Sequence, residues 1–388
     1  MHFPSHTLIY LGLIFGLLVV PRALQRFRLP APLTCFIFGI ISALLFKAAV
    51  DDRVLRVVAS FGVASLFLLA GLEVDLVEIR SQIPRLMGHL GVRGVFLIVG
   101  AWLATRYLHM SWQPASLLAL GLLTPSTGFI LDTLPQSGLS ESEQSEVSIN
   151  AIAGEITALL VLLFLSHADS LQMMAASTGA LLLLIVLTPL LFLALGRYVV
   201  PYAPGSEFSL LLMVGIICAS VSDAAGVHVL IGAFVAGLVA GLLKNRMTTL
   251  TSPENLQSVR LFASFFVPFY FFHEGLEVPG GALVLKALLY GLALSIIVLP
   301  IRIGKNWVEC HYFNGRSPAG AMRVSIALTP TIIFTLVIAG ILYESFHIGE
   351  ELYGAMLVYA TISTVLPSFV LPAFAQQALT DMPGDAKV

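Results

Sequence analysis

The sequence predicts an all-α polytopic membrane protein with thirteen transmembrane helices in two inverted-topology repeats. Three observations carry that reading. First, 58% of the 388 residues are hydrophobic and only 11% are charged, against roughly 25% charged in an ordinary soluble domain. The mean hydropathy is +0.95. Folded soluble proteins lack the polar surface to hide such a composition, so a soluble enzyme, a nucleic-acid binder and a disordered regulator are all excluded. Second, the apolar residues fall into segments long enough to cross a hydrocarbon core. Third, two short motifs recur at nearly one offset.

A spanning helix needs about 20 apolar residues. Thirteen segments approach or meet this: 4–20, 31–46, 58–76, 89–105, 114–134, 147–166, 176–196, 207–222, 227–243, 261–278, 287–303, 318–343 and 351–376. The start MHFPSH lacks the basic residues of a cleaved signal, so segment 4–20 is expected to remain as a helix. Connections are short, and no soluble regulatory domain is expected. Lys and Arg divide unevenly between the two sets of loops. One set holds Arg22, Arg26, Arg28, Arg80, Arg85, Arg197, Lys244, Arg246, Arg260, Lys305, Arg316 and Lys387. The other holds Lys47, Arg53, Arg56, Arg106 and Lys286. The richer side is expected to be cytoplasmic, which puts the N-terminus outside and the C-terminus inside. Arg93, Arg302 and Arg323 fall within or at the edges of spans and stay outside this comparison.

The repeat sets the architecture. Gly71-Leu72-Glu73-Val74 closes the third span and Gly275-Leu276-Glu277-Val278 the tenth, 204 positions later. Leu123-Thr124-Pro125, with Phe129 beyond, lies in the fifth span. Leu328-Thr329-Pro330, with Phe334 beyond, lies in the twelfth, 205 positions later. That offset covers seven spans, and an odd number of crossings inverts the second copy. Inverted repeats characterise secondary transporters. The expected repeats are about 1–166 and 207–376, with 176–196 as the linker helix of a single transmembrane domain covering 1–388. Pro125 and Pro330 lack a backbone donor. A break at each would free carbonyls near the midplane, where inverted-repeat transporters bind ions.

Within the sixth span, Glu155 sits among apolar turns. A carboxylate at that depth costs several kcal/mol, about 2.5–3.5 on insertion scales, and is expected to face water or a cation. It can hold a proton or a cation but not both comfortably, which is the competition an antiporter needs. Asn150 stands five residues earlier and is a candidate to line the path. His228 opens span nine and reads best as a cap. His273-Glu274 begins like a zinc motif, but Glu277 stands where the second histidine belongs. Glu73 and Asp75 read as interfacial. Arg323 reads as a snorkelling residue. Ser140 and Glu143 form a candidate capping box, within a loop whose three glutamates could alternatively attract cations. Gly232, Gly237 and Gly241 favour close helix packing.

These stretches resemble the monovalent cation/proton antiporter superfamily, in its bacterial Kef-like and Nap-like branch. The resemblance rests on Leu66 to Asp75, Gly226 to Leu238 and Pro268 to Glu277, and it runs the whole chain in helix count and motif order. It implies a homodimer in the bacterial inner membrane, exchanging H⁺ for Na⁺ or K⁺, with no cofactor and no nucleic-acid partner. It also implies crossed, broken helices at spans five and twelve. Glu155 would be the ion- and proton-binding carboxylate, and so the metal ligand. Thr124, Ser126 and Thr127 would be its hydroxyl neighbours and Arg302 the charge-compensating residue. Family members carry two polar residues in sequence on span six, where this chain has Gly154-Glu155. A single titrating carboxylate points to one-for-one, electroneutral exchange. An intramembrane enzyme, a non-transporting sensor of the same fold and an organic-anion symporter are the rival readings; no nucleophile–base pair supports the first.

Overall fold

The computed structural model describes residues 5–45, 52–74, 83–166, 171–203, 205–244 and 252–380. Fifteen α-helices occupy them: α1 (Ser5–Leu24), α2 (Ala31–Leu45), α3 (Arg53–Leu72), α4 (Ile83–Tyr107), α5 (Trp112–Leu123), α6 (Thr127–Thr133), α7 (Glu141–Ser166), α8 (Leu171–Tyr198), α9 (Glu207–Ala224), α10 (Val229–Leu242), α11 (Pro253–Leu276), α12 (Leu285–Val308), α13 (Pro318–Ala327), α14 (Ile332–Phe346) and α15 (Glu350–Thr380). Within the described residues, each of the thirteen apolar segments falls on one helix, except 114–134 and 318–343, which each fall on a broken pair. By length and apolarity nine stretches among the described residues qualify as spans, or ten when α13 and α14, bent by 45°, count as one. Helices α2 and α10 are short for a span. Lys47, Asp75, Arg80, Arg246 and Lys387 lie outside the described residues.

Helix starts follow local chemistry. Asp52 accepts from the Val54 and Leu55 N–H groups to cap α3. Ser252 caps α11 through Asn255, with Pro253 at the first helical position. Ser317 caps α13 through Gly320, with Pro318 following. Such hydroxyl and carboxylate caps satisfy donors that a helix cannot bond itself, and proline loses nothing at the first position. His228 caps α10, its Nδ1 accepting from Leu230 N–H at 3.4 Å, as the sequence suggests.

The chain divides into two compact units. One comprises the described residues within Met1–Arg80 and Leu159–Val278, the other those within Ser81–Ala158 and Pro279–Val388. In the first unit, α3 packs against α9, α10 and α11, and α2 against α11. Both Gly-Leu-Glu-Val motifs serve these crossings. A Cβ on Gly71 would overlap the Phe234 carbonyl and lie 2.7 Å from Leu238 N. A Cβ on Gly275 would overlap the Phe36 carbonyl and lie 3.0 Å from the Gly39 Cα. Where lipid gives no hydrophobic drive between helices, such bare backbone lets them approach. The recurring motif is therefore a packing device. Glu73 pairs with Arg260 at 2.6 Å.

In the second unit, α12 packs on α15, α4 on α5, and α14 against both α5 and α15. Helix α12 continues into a π-helical turn, Glu309–Phe313. The capping box at the start of α7 is present: Ser140 N–H donates to Glu143 Oε2 at 2.9 Å and Glu143 N–H to Ser140 Oγ at 3.4 Å. Two of that loop's three glutamates are neutralised. Glu143 pairs with Arg323 and Glu146 with Arg316, each at 2.6 Å. Arg323 is thus a member of an ion pair with a buried carboxylate, where the sequence suggested snorkelling.

Candidate functional site

The second unit contains two broken helices that meet. The first break follows α5. Proline disfavours helical backbone in the residue before it, and Thr124 is extended, with φ −84° and ψ 125°. Helix α6 resumes at Thr127. The second break runs over Leu328, Thr329, Pro330 and Thr331, between α13 and α14. Each break supplies partners for the other. Ser126 N–H donates to the Pro330 carbonyl at 2.8 Å. Ser126 Oγ accepts from Ile333 N–H at 3.0 Å and from Phe334 N–H at 3.4 Å. Thr335 Oγ1 donates to the Gly121 carbonyl at 2.8 Å. A buried loop would otherwise strand its polar backbone, and these bonds explain how a non-helical crossing persists inside the unit.

Glu155 lies at this crossing. It is 3% exposed, and its Oε2 accepts from the Thr127 backbone N–H at 3.2 Å. The hydroxyl of Thr127, on the residue whose N–H binds the carboxylate, is buried and has no hydrogen-bond partner among the described residues. An oxygen beside a carboxylate with a free lone pair is what a hard cation requires. The other two hydroxyls have work of their own. Thr124 Oγ1 donates to the Leu120 carbonyl at 2.7 Å, and Ser126 Oγ serves as the cap on α14.

Arg302 is buried, 4% exposed. Its Nη1 donates to the Thr329 carbonyl at 3.0 Å and to the Tyr359 hydroxyl at 2.9 Å. Its Nη2 donates to the Leu328 carbonyl at 3.0 Å. Tyr359 in turn donates to the Leu122 carbonyl at 2.7 Å, so one phenol ties both breaks together. The carbonyls Arg302 holds belong to the C-terminal end of α13, where a cation is favoured. Arg302 therefore sits at the crossing, bonded to backbone and phenol.

Asn150 does not reach the carboxylate. It lines a cavity with His89, Arg93, Asn306 and Glu309. That cavity gathers charged residues that no local sequence pattern marks. Glu309 is 2.8 Å from His89 Nδ1 and 3.3 Å from Lys305 Nζ. Lys305, taken from sequence as a loop cation, has a side chain only 10% exposed. Arg93 stands within the apolar stretch Gly88–Tyr107 of α4. It lines this cavity and a second one formed by Phe96, Leu123, Pro125, Arg302 and Lys305. An arginine inside an apolar span was the signal available for it. Among the described residues no group of three His, Cys, Asp or Glu side chains forms a metal-binding cluster.

Known proteins share this arrangement of chain and helices. The profile described as "Sodium/hydrogen exchanger, transmembrane" matches residues 12–377. A Methanocaldococcus jannaschii protein named probable Na(+)/H(+) antiporter 3 is 25% identical over 384 residues, covering 94% of this chain and 94% of its own. A Na(+)/H(+) antiporter of Enterococcus hirae is 21% identical over 369 residues, covering 91% and 94%. The structure of a sodium proton antiporter from Methanocaldococcus jannaschii matches with a TM-score of 0.64 at 12% identity, over 96% of this chain and 97% of that one. At that identity the likeness speaks for the fold. The profile match runs over nearly the whole length, and on that ground the chain belongs to the sodium/hydrogen exchanger family of transmembrane proteins.

Proposed function

We propose that this protein exchanges Na⁺ for H⁺ across the cytoplasmic membrane by alternating access, with Glu155 as the group both ions share. The observation that carries the reading is the buried Glu155 carboxylate held against the first residue of α6, where two broken helices cross. Relatives named Na(+)/H(+) antiporters support the choice of ions. With a proton bound, the carboxyl is neutral and tolerates burial. With the proton gone, the carboxylate requires a cation. Glu155 and the Thr127 hydroxyl supply oxygen to it. Thr124 and Ser126 act by holding the break in shape, and Arg302 by fixing the carbonyls of the second break. Asn150 lines the approach from the α4 and α12 side. A single exchanging carboxylate makes the stoichiometry one proton for one cation. The chain is read as one transmembrane domain of two inverted repeats, and paired motifs at equivalent helix ends and breaks support that. The working unit is taken as a homodimer with its N-terminus outside and C-terminus inside.

Reconstituted liposomes with a trapped pH dye test this. A Na⁺ pulse should dissipate an imposed pH gradient without a response from a membrane-potential dye. A K⁺ response in place of Na⁺ would change the cargo. A potential change during exchange would overturn the one-for-one stoichiometry. No response to any monovalent cation would replace the antiporter with a non-transporting sensor.

A further inference from the structure

Within the second unit, beside the helix breaks, lies a cavity of about 20 Å³ with a cationic wall. Arg93 of α4 lines it together with Arg302 and Lys305 of α12. Asn306 and the apolar side chains of Phe96 and Leu123 line it as well. Among the described residues no carboxylate does. The three cations stand close enough to act on one another: Arg93 and Arg302 are like charges to Lys305, and Arg302 is a like charge to Arg93. Such charges repel far more strongly away from water than in it, so the cluster needs an offset.

The protein supplies only part of it. Glu309 lines the neighbouring cavity, where it serves both His89 Nδ1, at 2.8 Å, and Lys305 Nζ, at 3.3 Å. The bonds of Arg302 go to two carbonyls and a phenol, which orient its charge without cancelling it. Arg93 makes no hydrogen bond or ion pair to a described residue. Three cations against one carboxylate leave the wall net positive. Donors are also to spare. Arg302 makes three bonds with the five N–H groups of a guanidinium, and those of Arg93 are all unspent. Cations, an amide and apolar side chains without an acid repel Na⁺ and suit an anion. Size narrows the choice. A single water needs about 10–15 Å³, so a space of about 20 Å³ admits one sphere of water's size or slightly more. A halide fits that description. Sulfate, phosphate and a lipid headgroup are too large.

We propose that this cavity binds one small monovalent anion, a halide such as chloride, as the structural counter-ion of Arg93, Arg302 and Lys305. The anion is not cargo, and the site stands whichever cation the protein exchanges. Its effect reaches the breaks through Arg302, which holds the Leu328 and Thr329 carbonyls. Offsetting the charge of that guanidinium stabilises the crossing it fastens.

The test uses the full chain in detergent, titrated with sodium chloride against sodium gluconate at constant sodium and ionic strength. Two readouts are followed: the unfolding temperature, and the chlorine NMR linewidth as a direct report of bound chloride. In wild type both should saturate, with Tm raised on the order of 4 °C at chloride well above half-saturation. Bromide should act like chloride, and sulfate should not act. Arg93→Gln breaks no bond to a described residue and should fold. It should lose the saturable response and, without chloride, be as stable as wild type with it, because removing a like charge does what the anion does. Arg93→Lys keeps the charge and should keep the response. Lys305→Gln should weaken half-saturation by about tenfold or more, the loss of one charged donor; the linewidth reads this even where the broken pair with Glu309 lowers Tm. An equal response in wild type and Arg93→Gln, or a response to chloride no different from that to sulfate, would be a general salt effect and overturn the proposal. So would a wild-type linewidth that chloride does not saturate. Neither result bears on Na⁺-coupled proton flux, which the liposome assay reads separately.

Discussion

Replacing Ser126 with alanine separates a structural role from an ion-binding one. The Ser126 hydroxyl accepts from Ile333 N–H at 3.0 Å and Phe334 N–H at 3.4 Å. The first is a good hydrogen bond and the second is marginal. Loss of a capping oxygen typically costs about 0.5–2 kcal/mol. A buried donor left without a partner costs about 1–3 kcal/mol. One firm bond and one weak one place the expected loss at about 1–2 kcal/mol. The Ser126 backbone bond to Pro330 survives in alanine, so the crossing should persist. Thermal unfolding of the detergent-purified protein should show Tm lowered on the order of 2–4 °C for each kcal/mol lost. The KM for Na⁺, read from dye dequenching in liposomes, should stay within about twofold, since an oxygen that is only a cap contributes nothing to ion affinity. Unchanged Tm with a KM raised about tenfold, near 1.4 kcal/mol of lost binding, would refute the reasoning and return Ser126 to the ion's shell.

Further expectations concern other parts of the same unit and its packing. Arg302→Met leaves the Leu328 and Thr329 carbonyls and the Tyr359 hydroxyl without their donor; with buried acceptors unpaired the variant should lose about 3 kcal/mol or more, visible as a lower Tm and abolished exchange. Glu143→Gln removes the charge opposite Arg323 while leaving the capping geometry available, and should cost about 1 kcal/mol; a loss of exchange without a Tm change would show a role in the ion path. Gly71→Leu forces a side chain into the Phe234 carbonyl, and overpacking of this kind exceeds the usual 1–3 kcal/mol, so size-exclusion chromatography should show no folded peak.

The sequence made the two breaks and Glu155 visible because each violates a strong local rule. Proline removes a helix donor whatever surrounds it, and a carboxylate inside an apolar run is costly in any membrane. Arg93 obeys the same rule, yet its place near the start of the apolar run Gly88–Tyr107 makes it read as an edge residue. Lys305 reads from sequence as a loop cation because the apolar run stops near Arg302, whereas α12 continues to Val308 and turns Lys305 onto Glu309, four residues on. Gly154 is of another kind. A Cβ there would lie 2.8 Å from the Arg93 Cζ on α4, and no local pattern encodes such a contact. The same holds for Arg323, whose partner Glu143 lies 180 residues away, and for Ser126, whose hydroxyl caps a helix 207 residues away. Residue type announces the candidates; long-range packing decides which of them touch the ion and which hold the shape.

Proton flux through Glu155→Gln, beside wild type and Glu155→Asp in the same liposomes, tests the central claim most directly. The amide keeps the size of the side chain and can neither release a proton nor carry the charge a cation needs. Na⁺-driven dequenching should vanish in Glu155→Gln, with its Tm at or above that of wild type because a buried titratable charge is gone. Glu155→Asp should retain exchange with a raised KM. Undiminished Na⁺-coupled flux in Glu155→Gln would contradict the account and move the exchange to another carboxylate.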